Sequence, residues 1–270
     1  MSDPRPIGVF DSGVGGLTVL ADIRDRLPYE HTIYFGDTAR VPYGPRDLAE
    51  VRYFAFEIVR YLVDQDVKLV VIACNTAAAA ALKALQRSFD VPIVGVVEPG
   101  ARAAVQETRN RRVGVLATEG TVRSGAYRQA VHNLDAGVEI YEQAAPDFVP
   151  LIERGVTGGP ELEEITRRYC DPLMEKGVDA VILGCTHYPL ISATINRTLG
   201  PGVRLISSAG QTSLEAARTL SRRGYLRRPE NQEDYGRARY VCSADPEEFA
   251  ALGGRFLDEE IEAVAPAAVA

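Results

Sequence analysis

This sequence contains few residues of the types on which several common chemistries depend. Of its 270 residues, four are cysteine, three are histidine and three, Lys68, Lys83 and Lys176, are lysine. Four cysteines in a chain of this length do not form a disulfide framework, which favours a reducing, cytosolic setting. The scarcity of lysine leaves few candidates for a pyridoxal Schiff base, and the scarcity of histidine argues against a histidine metal cluster.

Two further absences exclude whole classes of partner. No apolar run approaches the roughly 18 residues that a membrane span requires. The formal net charge of -7 argues against a general nucleic-acid binder, because phosphate binding needs a basic face. The first residues show no signal-peptide pattern. We therefore expect a cytoplasmic protein without membrane or nucleic-acid partners, long enough for one large or two ordinary domains.

An apolar, β-branched stretch ends twice in a cysteine that is followed by polar residues. The first stretch, 69–76, reads LVVIACNT, and the second, 180–187, reads AVILGCTH. A run that is apolar on both faces and leads into a helix predicts a central strand of a parallel sheet. Ligand sites in such sheets lie beyond the carboxyl ends of the strands, which is where Cys74 and Cys185 are predicted to lie.

The two cysteines belong to a longer internal repeat. Three pairs of positions keep a spacing of 106 to 111 residues: Gly8 and Gly114, Cys74 and Cys185, and Gly100 and Gly210. This repeat predicts an α/β fold of two similar doubly wound parallel-sheet domains, related by internal duplication, with the active site between them. We expect residues 1–98 and 210–270 to form the first domain and residues 99–209 the second. The crossings near Glu98 and Ala209 are candidate hinges.

The rest of the pattern predicts alternating strands and helices. Strands are expected near residues 7–10, 31–37, 69–73, 91–96, 112–118, 137–141, 180–184, 203–208 and 238–242. Helices are expected near residues 17–26, 47–64, 77–85, 161–176, 212–223 and 246–264. Gly13, Gly15 and Gly16 fail the dinucleotide fingerprint because Thr18 stands at its third glycine. We expect these glycines to let the backbone approach a ligand closely.

Two thiols at one site could serve several kinds of chemistry. A zinc site would use Cys74, Cys185 and His187, but there is no CxxC spacing and no evident fourth ligand. A single nucleophilic Cys185 with His187 as its base would leave Cys74 unexplained. Stereoinversion at a carbon acid needs two equivalent groups on opposite faces, and the duplication favours it. Cys170 and Cys242 have no polar company and are expected to be small buried hydrophobes.

Four segments of the chain carry a family resemblance: residues 8–19 (GVFDSGVGGLTV), 42–44 (PYG), 73–76 (ACNT) and 184–189 (GCTHYP). Together they resemble the bacterial glutamate racemases, cofactor-independent members of the aspartate/glutamate racemase family. The resemblance covers nearly the whole chain in the same order. It implies interconversion of L- and D-glutamate without a cofactor or metal, supply of D-glutamate for peptidoglycan, and a homodimer.

The resemblance also implies roles for individual residues. Cys74 would be the base for D-glutamate, assisted by Asp11, and Cys185 the base for L-glutamate, with His187 and Glu153 nearby. The other substrate-binding positions that it implies are Ser12, Pro42, Tyr43, Gly44, Asn75, Thr76, Thr118, Thr121 and Thr186. Taken alone, Asp11 could be a helix cap, His187 a hydrogen-bonded helix-start residue and Glu153 a solvated helix charge.

Three alternatives remain open from the sequence. An aspartate or hydantoin racemase, or a one-cysteine decarboxylase, would share the fold, although the aspartate-specific relatives carry Thr-Glu where this chain has Thr186-His187. A two-domain solute-binding protein would also place its ligand between α/β halves. Such a protein needs no reactive thiols and is usually exported, which the missing signal peptide counts against.

Overall fold

The computed structural model describes residues 2–261 and the backbone of residues 265–266. Its strands are β1 (Ile7–Asp11), β2 (Thr32–Gly36), β3 (Leu69–Ile72), β4 (Ile93–Gly95), β5 (Arg112–Ala117), β6 (Glu139–Ala144), β7 (Ala180–Gly184), β8 (Arg204–Ser207), β9 (Ala238–Cys242) and β10 (Ala265–Pro266). Its helices are α1 (Leu17–Arg26), α2 (Leu48–Asp64), α3 (Asn75–Ser88), α4 (Val97–Glu107), α5 (Glu119–Ser124), α6 (Ala126–Leu134), α7 (Phe148–Glu153), α8 (Pro160–Glu175), α9 (Ser192–Leu199), α10 (Ser208–Arg223) and α11 (Pro246–Leu257). A 3₁₀ turn spans Tyr188–Ile191. None of the helices in the described part of the chain combines the length and apolar character that crossing a bilayer requires.

The strands form two separate parallel sheets. The first has the order β10-β9-β2-β1-β3-β4, and the second has the order β6-β5-β7-β8. Every neighbouring pair runs parallel. The second sheet repeats the order β2-β1-β3-β4 of the first, as a duplication would leave it. The predicted fold class of two parallel-sheet α/β domains is confirmed, while the domain boundaries at residues 98 and 209 stay a prediction.

The strand β3 lies inside the first sheet, between β1 and β4. All four of its side chains, from Leu69 to Ile72, are fully buried, which explains its continuous apolar sequence. The chain then leaves the sheet at Cys74 and enters α3 directly. In the second sheet β7 occupies the corresponding place between β5 and β8 and ends just before Cys185. The predicted location of both cysteines at carboxyl strand ends is therefore confirmed.

Two connections differ from the sequence prediction. The exit from β4 near Glu98 is not a loop, because it forms the first turn of α4. Pro99 is tolerated there, since amides in the first helical turn have no intrahelical acceptor. Likewise, Ala209 lies in the first turn of α10. Both predicted crossings therefore coincide with helix starts, and a hinge at either place stays a prediction.

Short helices follow β5 where the sequence pattern predicts none. The Thr118 side chain caps α5 by accepting a hydrogen bond from the Thr121 amide, and Gly125 separates α5 from α6 at a left-handed φ of 63°. These helices are too short to show an apolar period. The closing helix, predicted to run to residue 264, ends at Leu257, and residues 262–264 lie outside the described residues.

A buried ion pair joins the first strand connection to β3. Lys68 Nζ lies 2.5 Å from Glu30 Oε2, although not in hydrogen-bond geometry, and both side chains are almost completely buried. The same nitrogen donates to the Asp3 carbonyl at 2.6 Å, and Glu30 accepts from the Arg227 amide at 2.8 Å. Lys68, which directly precedes β3, therefore has a structural role.

Replacing Lys68 with methionine is expected to lower the free energy of unfolding by about 3–5 kcal/mol, because it leaves Glu30 as a buried, uncompensated charge. Urea denaturation of wild type and variant measures the difference. The double variant Lys68→Met, Glu30→Leu is the control and should recover most of the loss. A single-variant loss below about 1 kcal/mol would contradict the assignment of a buried ion pair.

Candidate active site

One cavity of about 340 Å³ contains both strand-end cysteines. Its wall comes from both halves of the chain, so that the carboxyl ends of the two sheets face a common space. The residues that line it are Asp11, Ser12, Val41, Pro42, Tyr43, Gly44, Pro45, Cys74, Asn75, Thr76, Thr118, Glu119, Ala145, Pro146, Val149, Pro150, Glu153, Cys185, Thr186 and His187. Every site residue predicted from the sequence lies in this wall except Thr121.

Cys74 forms the start of α3 on the first side of the cavity. Its sulfur accepts a hydrogen bond from the Ala77 amide at 3.5 Å and donates to Ser12 Oγ at 3.9 Å. Burial is the main cause that raises the pKa of the Cys74 thiol well above its ordinary value, and the negative charge of Asp11 is the second. The hydrogen bonds with Ala77 and Ser12 lower this pKa, but by less. A helix-start amide normally favours a thiolate, but at Cys74 burial outweighs it.

Asp11 ends β1 beside this thiol. Its Oδ2 accepts from the Gly16 amide at 2.9 Å, so the carboxylate does meet the start of α1 as a helix cap would. Its buried Oδ1 has no hydrogen-bond partner among the described residues. The cap interpretation therefore accounts for one oxygen only, and the other remains free to act within the cavity.

His187 and Glu153 accompany the second thiol. His187 Nδ1 lies 3.8 Å from Cys185 Sγ, and its Nε2 lies 3.1 Å from Glu153 Oε1. The imidazole also packs edge-to-face against Phe256 of α11, with ring centroids 5.6 Å apart. Burial lowers the pKa of His187, but its contacts with Cys185 and Glu153 outweigh burial and raise that pKa to about 10. Glu153 is thus not a freely solvated helix charge.

The raised pKa of His187 predicts a pH-dependent contribution to stability. Because the folded state holds the proton more tightly than the unfolded state, this contribution is complete below the ordinary pKa of about 6.5 and is lost as the pH rises through about 10. The stability advantage of wild type over His187→Gln should therefore shrink between pH 7 and 10 in urea denaturation. The exposed His132→Gln is the control. A difference that stays constant over this range would contradict the assignment.

Two glycines after β1, Gly15 and Gly16, make room for the protein's own side chains. A Cβ on Gly15 would lie 2.4 Å from His187 Nδ1 and 2.5 Å from Thr186 Oγ1. None of Gly13, Gly15 and Gly16 lines the cavity, and their expected close approach to a ligand stays a prediction. The hydroxyl of Thr18 donates to the Thr186 carbonyl at 3.1 Å, which fastens α1 to the second strand end.

The loop that carries Tyr43 is anchored on both sides. The Tyr43 hydroxyl donates to the buried Asp37 carboxylate, which also accepts from Arg40 Nε at 2.7 Å and from Ser243 Oγ at 2.8 Å. The carbonyl of the next residue, Gly44, accepts from the amide of Gly120 at the start of α5, 2.8 Å away. These hydrogen bonds hold the loop on both sides, and it closes the cavity against the second half of the chain.

Three threonine hydroxyls meet where α3 and α5 begin. Thr76 Oγ1 lies 2.9 Å from Thr118 Oγ1, and Thr121 Oγ1 lies 2.9 Å from Thr118 and 3.3 Å from Thr76. Thr76 and Thr118 line the cavity, whereas Thr121 is fully buried behind them. Thr121 is connected to the cavity through its hydrogen bonds with Thr76 and Thr118, and direct contact between Thr121 and a ligand stays a prediction.

Several wall residues do not follow from the sequence reasoning. Glu119 comes from the short helix that the pattern missed, and Ala145, Pro146, Val149 and Pro150 come from the turn around the start of α7. Glu119 directly follows the predicted Thr118, and that adjacency is the signal that could have found it. The apolar residues carry no chemical signature. Among the described residues, no cluster of three or more His, Cys, Asp or Glu side chains could hold a metal ion.

Comparison with known proteins identifies the family. Residues 16–212 match the family model described as Asp/Glu/Hydantoin racemase. A curated glutamate racemase from Geobacter metallireducens is 49% identical over 253 residues, covering 94% of this chain and 93% of the relative. The crystal structure of a glutamate racemase isoform from Bacillus anthracis superposes with a TM-score of 0.93 at 38% identity, covering 97% of both chains. A glutamate racemase from Francisella tularensis, solved in complex with D-glutamate, has a TM-score of 0.91 at 35% identity, covering 99% of this chain and 98% of the other. The chain therefore belongs to the Asp/Glu/hydantoin racemase family, among its glutamate racemases.

Proposed function

We propose that the protein interconverts L- and D-glutamate by direct proton transfer at the α-carbon, with Cys74 and Cys185 as the two acid/base groups. The observation that carries this proposal is the shared cavity, into which each sheet brings one cysteine with its own carboxylate or imidazole neighbour. The choice of glutamate as substrate is supported by the relatives, which are glutamate racemases, and by the D-glutamate bound in the Francisella tularensis complex.

In the direction from L- to D-glutamate, the Cys185 thiolate takes the α-proton. The Cα–H bond breaks, an S–H bond forms, and the electron pair delocalises toward the substrate carboxylate. The Cys74 thiol then gives its proton to the opposite face of the same carbon and becomes a thiolate. The reverse direction exchanges the two roles, so no electron acceptor or cofactor enters the balance.

The neighbours of the two cysteines suit them to these opposite tasks. The raised pKa of Cys74 favours the protonated thiol, which an acid requires. A His187 cation beside Cys185 Sγ stabilises negative charge on that sulfur, which a base requires. Asp11 is thus placed to assist Cys74, and the Glu153–His187 pair is placed to assist Cys185.

The polar wall would hold the charged ends of the substrate. Hydroxyl, amide and backbone donors suit its two carboxylates and the charge that develops during proton removal, because fixed dipoles in a closed site need little reorganisation. The wall residues proposed for this task are Ser12, Pro42, Tyr43, Gly44, Asn75, Thr76, Thr118 and Thr186, with Thr121 behind the two other threonines. Pro42 can contribute only its carbonyl, which suits the substrate's ammonium group. We further propose that the enzyme works as a cytoplasmic homodimer without cofactor or metal and supplies D-glutamate for peptidoglycan.

A substrate panel tests this function. Purified protein, treated with a chelator and free of pyridoxal phosphate, is incubated separately with L-glutamate, D-glutamate, L-aspartate and a 5-substituted hydantoin. Chiral chromatography follows both enantiomers. Glutamate of either hand should approach an equal mixture, while the other compounds stay unchanged. Turnover of aspartate or hydantoin without glutamate would overturn the substrate, and inactivity toward all of them would favour a binding protein.

A further inference from the structure

A buried tyrosine that belongs to none of the proposed substrate contacts touches one of them. Tyr127 of α6 is fully buried, and its hydroxyl donates to Asn75 Oδ1 at 2.7 Å. Asn75 is the first residue of α3 and follows Cys74 directly. The bond therefore connects a helix that follows β5 with the residue beside the first thiol, across the space between the two sheets.

This bond determines which end of the Asn75 amide faces the cavity. Asn75 lines the cavity, and because its oxygen is turned toward Tyr127, its Nδ2 is the free end of the amide. That nitrogen has no acceptor among the described residues. An NH₂ group can donate to a substrate carboxylate, whereas the opposite orientation would present an oxygen and repel it.

The surroundings hold the phenol in this position. The Tyr127 hydroxyl has two neighbours, Asn75 Oδ1 at 2.7 Å, to which it donates, and Ser208 Oγ at 3.1 Å, where either oxygen could donate. Ser208 Oγ also lies 3.4 Å from the Leu183 carbonyl, which keeps it in place beside the phenol. The missing Cβ of Gly184 makes room for the ring, since a methyl group there would lie 3.1 Å from Tyr127 Cε2. Burial raises the pKa of Tyr127 well above its ordinary value, so the hydroxyl stays protonated at any working pH.

We propose that Tyr127 is a positioning residue for substrate recognition: it orients the Asn75 amide so that its NH₂ group donates to a carboxylate of the bound amino acid. The inference rests on the proposed function. It assigns to Tyr127 an effect on binding rather than on proton transfer, because the phenol bonds to Asn75 and Ser208 and to neither thiol.

The first test compares kinetic constants. Tyr127→Phe should raise KM for L-glutamate about tenfold, as loss of a hydrogen bond to a charged group does, and should change kcat less than about threefold. Ser208→Ala removes the other partner of the phenol but keeps its bond to Asn75, so its KM should stay near the wild-type value. In an Asn75→Ala background, Tyr127→Phe should have no further effect. Additive effects, or equal effects of Tyr127→Phe and Ser208→Ala, would overturn the proposal.

A second variant, Asn75→Asp, tests the orientation of the Asn75 amide even if Tyr127→Phe does not fold. Asn75→Asp keeps an oxygen for Tyr127 but places another oxygen toward the substrate, so its KM should exceed that of Asn75→Ala. A KM for Asn75→Asp near that of wild type would mean that an oxygen already faces the cavity, and would overturn the proposal.

Neutron diffraction of the deuterated wild-type protein separates this inference from the proposed function, because it locates the ND₂ group without any turnover. Deuterons on the cavity side of Asn75 support the inference, and deuterons on the Tyr127 side overturn it. Wild-type protein with the expected orientation but without activity on glutamate would refute the proposed function alone.

Discussion

Replacing either Cys74 or Cys185 with serine should lower the rate of glutamate racemisation about a thousandfold or more. Both thiols line the same cavity, and inversion needs one group to remove a proton while the other supplies one. A serine hydroxyl is of similar size but is a far weaker acid and base, so the cavity survives while proton transfer on one face fails. Chiral chromatography of the product measures the loss.

The two variants should also fail differently in deuterated water. Cys74→Ser keeps Cys185 and should exchange the α-proton of L-glutamate without inverting it, while Cys185→Ser should do the same for D-glutamate. Because the enantiomers have equal free energy, kcat/KM must fall equally in both directions for either variant. Mass spectrometry of each enantiomer reads the exchange.

Cys242→Ser is the matched control for these variants. Cys242 is buried at the end of β9 and does not line the cavity, as expected of a small buried hydrophobe. Its activity should stay within about threefold of wild type. If Cys74→Ser or Cys185→Ser racemises as fast as this control, that cysteine has a structural role only.

Gly15→Ala is the second change with a large expected effect. The new methyl group would lie 2.4 Å from His187 Nδ1 and 2.5 Å from Thr186 Oγ1, closer than real contacts allow. Either the imidazole moves away from Cys185 and Glu153, or α1 moves away from the second strand end. Since a misplacement of about 1 Å can lower a rate a hundredfold, we expect kcat/KM to fall at least that far.

Gly13→Ala is the control in the same loop. A Cβ on Gly13 would meet only Val41 Cγ2 at 3.5 Å, an ordinary contact, and neither glycine has a left-handed φ. In steady-state kinetics, kcat/KM of Gly13→Ala should therefore exceed that of Gly15→Ala by at least about 30-fold. Equal activities would mean that the fit between Gly15 and His187 has no functional weight.

The sequence was most informative where a local pattern has one structural solution. The run from Leu69 to Ile72 is buried on both faces, so it predicted a central strand, and the strand placed Cys74 at a carboxyl end. The same pattern located Cys185. Thr118 was assigned to the site by the family resemblance, and its place directly after β5 brings it into the cavity wall.

Contacts between distant residues carried no such local signal. The bond between Tyr127 and Asn75 joins residues 52 positions apart, and Gly15 meets His187 only because two sheets face each other. The protonation of Cys74 depends on burial and on Asp11, which a helix-start argument alone does not include. Such features arise from tertiary packing and require the structure.

One isotope measurement tests the two-thiol account most directly. Unlabelled L-glutamate is incubated with wild-type protein in deuterated water, and both enantiomers are analysed by mass spectrometry before a tenth of the substrate has reacted. If two groups act on opposite faces, the D-glutamate formed should carry deuterium at the α-carbon, while the remaining L-glutamate keeps its proton. D-Glutamate that retains the original proton would show that a single group moves it between faces, and would contradict the account.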